Sequence, residues 1–359
     1  MDTRRCPQLT SGVFVKNIAL CFDRARERSG STDATNAATL AELLVADDSQ
    51  LVWSCPHAVG GRSRLGSGPA PLDSARTCVA AAYGVLVEHW SPGDRLFLFG
   101  SGRGAACARA LARLLGTVGV LRGPDVPGWT ASDFRQYVLA TYAMPRTCRT
   151  PADWRRVGEL AAQISGRDDV SVDVAFLGLW DTAAIPGLPR PRTPDPLPHV
   201  GAVRHAVAID AGSVPLRAQP PRPASDQDLS NVDEVWFRGT HADVAGGRHA
   251  CEPLADIALD WMIDGALRAG IELTPSARSR IPAPGTAEAL AGHTHLVPVR
   301  RVPPAAAVHA SVATYVRAHP AYWRRLPSRI VWADPDWAAR AERLIDPAPA
   351  PTRELVGAG

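Results

Sequence analysis

Apolar positions along this chain come in two rhythms. Short continuous runs fall at Val15–Phe22, Gln50–Ser54, Leu96–Phe99, Val170–Trp180, His205–Asp210 and Val232–Phe237. Runs of this length, bounded by turn residues, predict buried strands. Between them lie stretches whose apolar residues recur at three and four: Thr35–Leu44, Asp73–Trp90, Ala105–Leu115, Ala131–Tyr142, Pro151–Ser165 and Leu254–Ala269. These predict helices. Strands alternating with helices imply an α/β chain with a mostly parallel central sheet covered on both faces. The helices within 123–168 are expected to form a cap or lid. Residues 1–14 read as an unstructured lead-in, 15–335 as one domain, and 336–359 as a tail whose last dozen residues look disordered. No internal repeat is found.

The sharpest local signal is Arg95–Leu115, in which a short strand meets Gly100-Ser101-Gly102-Arg103-Gly104 and then a small-residue helix. That is the layout of a nucleophile elbow, where the middle residue of G-x-S-x-G carries the attacking hydroxyl. Here the middle residue is Gly102. Gly100 and Gly104 remove Cβ atoms where strand and helix nearly touch. Ser101 stands one place early, and its side chain is expected to point away. A phosphate-cradling loop and a plain tight turn are the other readings of the same glycines. The segment lacks the last glycine of G-x-G-x-x-G and has no Walker lysine.

Active residues of such sheets gather beyond the carboxyl ends of strands. Three predicted strand ends bear candidate chemistry, in the order Gly102, Asp181, His241, which is the order elbow, acid, histidine of α/β-hydrolases. In a working triad His241 would take the proton and Asp181 would hold its tautomer. The backbone N–H of Arg103, with a second from Asp23–Ala25 (Arg24 at its centre), would form the oxyanion hole. Asp23, Ser101 and Asp243 are further binding candidates. Taken singly, each residue has a plain structural reading. An aspartate at a strand end is commonly a cap, a lone histidine is commonly structural, and His241 with Asp243 and His249 matches no common metal spacing.

The chain has 359 residues, 46% of them hydrophobic, so a large core is within reach. A net charge of +3 predicts no nucleic-acid surface. Lys16 is the only lysine. Seven scattered cysteines without a CxxC pair favour free thiols in a reducing compartment. No apolar run approaches a membrane span and no signal-peptide core is evident, so a cytoplasmic location is expected, with specialised secretion left open. Neither a cofactor nor a metal is called for.

The motifs resemble those of a known family. FGSGRGAACARALA is similar to the FGFSRGAYTARALA elbow of the bacterial phospholipase-effector-like hydrolases linked to type VI secretion. GLWDTAAIPGLP resembles that family's GVWDTVGALGxP, and EVWFRGTHADVAGG its EVWFPGVHADVGGG. KNIALCFDRA resembles its opening strand and DGT loop, and Thr35-Asn36 falls at its TN pair. The resemblance covers roughly residues 15–330. It implies an α/β-hydrolase fold and an activity on phospholipid esters, with a triad at position 102, Asp181 and His241. The chain departs from the family at Gly102, at Asp23-Arg24-Ala25 in place of DGT, and at Ala245 in place of a glycine. Those departures imply a pseudo-hydrolase that binds a lipid or acyl ligand, or a protein partner, with peripheral membrane contact. The rival readings are an active hydrolase using water activated by His241 and Asp181, or using Ser101, and a nucleotide-binding module.

Overall fold

The computed structural model describes residues 15–24, 34–55, 70–122, 130–189, 197, 199–211, 231–278, 280–281, 283–294 and 300–340. The expected lead-in (1–14), Ala25 and most of the expected tail lie outside these residues.

Eight strands form one sheet in the order β2-β1-β3-β4-β5-β6-β7-β8. They are β1 (Asn17–Arg24), β2 (Gln50–Cys55), β3 (Arg95–Ser101), β4 (Val174–Trp180), β5 (Val200–Ala208), β6 (Val232–Phe237), β7 (Ala307–His309) and β8 (Val331–Ala333). Every neighbouring pair is parallel. The parallel arrangement buries both faces, which is why the strands read as nearly continuous apolar runs. A parallel sheet covered on both faces is what the alternation of periods predicts, and the architecture is α/β-hydrolase-like, as the family resemblance implies.

The helices are α1 (Asn36–Leu43), α2 (Pro71–His89), α3 (Arg103–Val118), α4 (Ala131–Val138), α5 (Pro151–Ser165), α6 (His241–Ala245), α7 (Glu252–Arg268), α8 (Pro275–Arg278), α9 (Thr286–Leu290) and α10 (Ala310–Ala318). On one face α2, α3 and α5 pack with Leu98, Leu177 and Val203 of the sheet. On the other, α1 and α7 pack with Phe97, Phe99, Phe176 and Trp180. A smaller cluster joins Val207 and Trp236 to Val312 and Tyr315 of α10.

Several boundaries differ from the sequence reading. β4 begins at Val174 instead of Val170, and β5 begins at Val200 instead of His205. The early part of β5 was hidden by Gly201 and Arg204. Arg204 is nevertheless buried, with its guanidinium near Asp264 and Asp233 and over the Trp261 ring. The expected helix 131–142 stops at Val138 and continues as a wide π turn over Leu139–Ala143. The expectation that all thiols are free is corrected for one pair. Cys55 at the end of β2 and Cys78 on α2 are joined as a disulfide, with Cα atoms 6.1 Å apart.

Candidate functional site

The strand order switches direction between β1 and β3, the place in such sheets beyond whose carboxyl ends sites gather. The turn between β3 and α3 stands at this point. Gly102 adopts φ 56° and ψ −114°, a region that costs a residue with a side chain about 1–3 kcal/mol. Its N–H donates to the Trp180 carbonyl, and its own carbonyl accepts from Ala183 N–H, so the end of β4 holds the turn from both sides. The flanking glycines are sterically required. A Cβ on Gly100 would lie 2.4 Å from the Gly104 carbonyl carbon, and one on Gly104 would lie 1.7 Å from the Phe22 oxygen.

A Cβ built on Gly102 would point at His241, 3.1 Å from both Nε2 and Cε1. His241 opens α6. Thr240 caps this helix, and Asp243 completes a capping box by accepting from the Thr240 N–H and hydroxyl. His241 Nδ1 lies 2.7 Å from Asp181 Oδ2. Asp181 follows β4, is fully buried, and is held at φ 40°. Its Oδ1 also accepts the Ala208 N–H of β5. Burial alone would raise its pKa, but the hydrogen bond from His241 and the nearby Arg300 override burial and hold the carboxyl below its ordinary value. The structure thus brings Gly102, Asp181 and His241 together.

The other candidates have internal partners. The Ser101 hydroxyl accepts from the Ala37 N–H of α1, 3.3 Å away. The Asp23 carboxylate accepts from the Thr35 hydroxyl at 2.6 Å, while Asn36 donates to the carbonyls of Val244 and Ala255. The Thr35-Asn36 pair therefore ties the end of β1 to α6 and α7. Asp243 is buried and also accepts from Cys251 N–H. Arg103 is the first residue of α3. Arg24 is the last residue of β1 and pairs with Cys55. The rest of the expected second oxyanion loop lies outside the described residues.

Sequence reasoning missed Arg300, whose Nη1 and Nη2 reach the two Asp181 carboxylate oxygens at 2.5 and 3.0 Å. It also missed Asp210, a buried carboxylate that accepts from Gly239 N–H, Tyr322 and Arg325 and so braces the strand end leading to His241. Neither stands in a motif, and only the fold gives them a role.

A cavity of about 680 Å³ borders the site. One wall is α3, through Ala106, Ala110 and Arg113; another is the π turn and α5, through Tyr142 and Trp154. Its floor includes Asp181, Thr182, Ala183, His205, Glu234 and Arg300, while Gly102 and His241 stand beyond it. Arg113 stacks over the Trp154 ring at 3.8 Å, and Arg149 lies 5.2 Å from the Tyr142 centroid. Arg149 Nε and Trp154 Nε1 are buried without a hydrogen-bond partner. Among the described residues no group of three His, Cys, Asp or Glu side chains gathers to hold a metal, and no helix is long and apolar enough to cross a membrane.

Residues 16–265 match the family described as T6SS, phospholipase effector Tle1-like, catalytic domain. The chain belongs to that family. Beyond the family match, the chain is 29% identical over 219 residues to the uncharacterized protein YEL023C of Saccharomyces cerevisiae, a match covering 54% of this chain and 31% of that protein. Among solved structures it is similar to an uncharacterized protein from Pseudomonas aeruginosa, with 16% identity and TM-score 0.43, over 74% of this chain and 48% of that one. It is also similar to the Tle1 effector bound to the VgrG spike of the type 6 secretion system, with 18% identity and TM-score 0.37, over 67% of this chain and 52% of that one. The matched part thus spans about a third of the yeast protein and about half of each solved chain. Family membership gives a phospholipase-like hydrolase kind, and position 102 is where this chain carries glycine.

Proposed function

We propose that this domain is a pseudo-hydrolase, in which the Gly102–Asp181–His241 site has lost its nucleophile and the adjoining cavity binds an acyl ligand. One observation carries the reading. The turn points an absent side chain at His241 Nε2, 3.1 Å from where the Cβ would be, while His241 keeps its bond to Asp181. A hydroxyl at that position would complete a nucleophile, base and acid. Without it, roughly 10⁶-fold of rate is lost where such residues act as a unit. The conformation of a nucleophile elbow persists although glycine has no need of so specific a backbone.

The ligand follows from the cavity. Its apolar walls suit an acyl chain, and Arg149 Nε and Trp154 Nε1 are buried donors that want an acceptor oxygen, such as that of a carboxylate, phosphate or ester. Recruitment of Ser101 is disfavoured by its bond to Ala37, and the family leaves no ground for a nucleotide module. A protein partner, peripheral membrane contact and a specialised secretion route extend this reading to the whole protein.

The test compares phospholipid-ester cleavage by wild type, Gly102→Ser and Gly102→Ser/His241→Ala. The expected result is a gain of at least tenfold in the serine variant that the second change removes. Wild-type turnover that disappears in His241→Ala would sink the proposal. Binding is read by isothermal titration calorimetry with a long-chain fatty acid or a lysophospholipid, and Arg149→Ala weakens it by about tenfold, the effect of one charge-assisted bond.

A further inference from the structure

The cavity floor carries a second line of chemistry that Gly102 does not touch. The Thr182 hydroxyl lies 3.1 Å from His205 Nε2, and His205 Nδ1 lies 3.3 Å from Glu234 Oε2. The three residues come from three elements: the turn after β4, β5 and β6. In the ladder His205 stands beside Glu234 on one side and Leu179 on the other, so the two side chains share the cavity face. The tautomer is set by an independent contact. The Thr182 N–H also points at Nε2, 3.4 Å away, and an amide can only donate. Nε2 is therefore the acceptor, and the ring proton sits on Nδ1 facing Glu234. That is the tautomer a general base needs.

All three residues line the cavity, whereas Gly102 and His241 do not. His205 is almost fully buried, and the Glu234 side chain is 22% exposed. A superficially similar line elsewhere shows what a purely structural version looks like. His309 bonds Ser311 and Asp334, but it is completely buried and is not among the residues that line this cavity.

Resting on the reading of the cavity as an acyl-binding site, and with the loss of activity confined to the Gly102 site, we propose that Thr182, His205 and Glu234 form a second nucleophile, base and orienting acid that accepts an acyl group from an ester held in the cavity. Thr182 Oγ1 bonds to the ester carbonyl carbon as its proton passes to His205 Nε2. The ester C–O bond breaks, and the departing alkoxide takes that proton from His205. Water then attacks the acyl-threonine, giving its proton to His205 and releasing the carboxylic acid, and Thr182 regains its hydrogen. Thr182 and His205 are catalytic residues in this scheme, and Glu234 is a positioning residue. A β-branched hydroxyl on a buried turn makes the step slow, so an activated ester is the fitting probe.

The experiment incubates the full chain with p-nitrophenyl butyrate and maps the added butyryl mass by digestion and mass spectrometry. The added mass is localised by fragmentation, because the Cys148 thiol lines the same cavity and competes for the acyl group, whereas Lys16 is the only lysine. The expected adduct is on Thr182. It is absent from Thr182→Val, present in Thr182→Ser, and formed at least tenfold more slowly in His205→Gln, since a general base contributes about 10²–10⁴-fold. Glu234→Gln shifts the pH profile of the acylation rate, and Glu234→Asp restores part of it. Absence of a Thr182 adduct in wild type, or an adduct rate indifferent to His205→Gln, overturns the inference. The wild-type mapping decides the matter even if a variant fails to fold. The reading of Gly102 is judged separately, because the Gly102→Ser variant places its own adduct on residue 102 through His241.

Discussion

Arg300 grips both oxygens of the Asp181 carboxylate, at 2.5 and 3.0 Å, on the same group that holds His241 at 2.7 Å. Asp181 is fully buried, so its charge needs partners. Arg300 and His241 bind it at once, beside the Ala208 N–H, and the imidazole no longer has the carboxylate to itself.

Removing the guanidinium therefore exposes a buried charge. Arg300→Ala should destabilise the fold by about 3 kcal/mol at neutral pH, the scale of breaking a buried pair. Urea unfolding measures this. The sign with pH follows from the depressed pKa of Asp181. Its stabilising contribution is present above the ordinary carboxylate value and is lost as pH falls through the lower, folded one, so the gap between wild type and variant narrows in acid.

The turn itself offers a steric prediction. Gly102→Ala places a Cβ at φ 56° and 3.1 Å from the imidazole, and should lower stability by about 1–3 kcal/mol. Gly104→Ala drives a Cβ to 1.7 Å from the Phe22 oxygen, and should abolish the folded state. Thermal melts rank the two; equal melting temperatures would contradict the packing described.

A third prediction concerns Asp256 on α7. Burial first, then the neighbouring Glu252 and Glu288, push its pKa up to about 6. An acid raised in the folded state favours folding when protonated, so stability is full below the ordinary value near 3.8 and declines as pH rises to about 6. Asp256→Asn should then gain about 1 kcal/mol at pH 7.5, after allowance for its partial exposure, and nothing at pH 3.5. Denaturation at the two pH values is the check.

Much of the architecture could be read from periodicity. The buried strands of a parallel sheet are continuous apolar runs, and β1, β3, β4 and β6 stand out for that reason. β7 and β8 were not legible because three residues carry no period; β7 is a strand because β6 offers it an edge, and β8 because β7 in turn offers one. The Cys55–Cys78 bond was hidden in an odd set of cysteines with no spacing pattern.

The sequence by itself determined that β4 closes at Trp180 and β6 at Phe237, and that the turn after β3 has glycine where a side chain would project, since these are matters of local pattern and of one missing atom group. Only the tertiary structure decided that Arg300 shares Asp181 with His241, that Asp210 braces the loop before α6, and that Thr182, His205 and Glu234 align on the cavity floor. These residues lie far apart along the chain, and their chemistry depends on distances of about 3 Å, which the packing of the sheet alone sets.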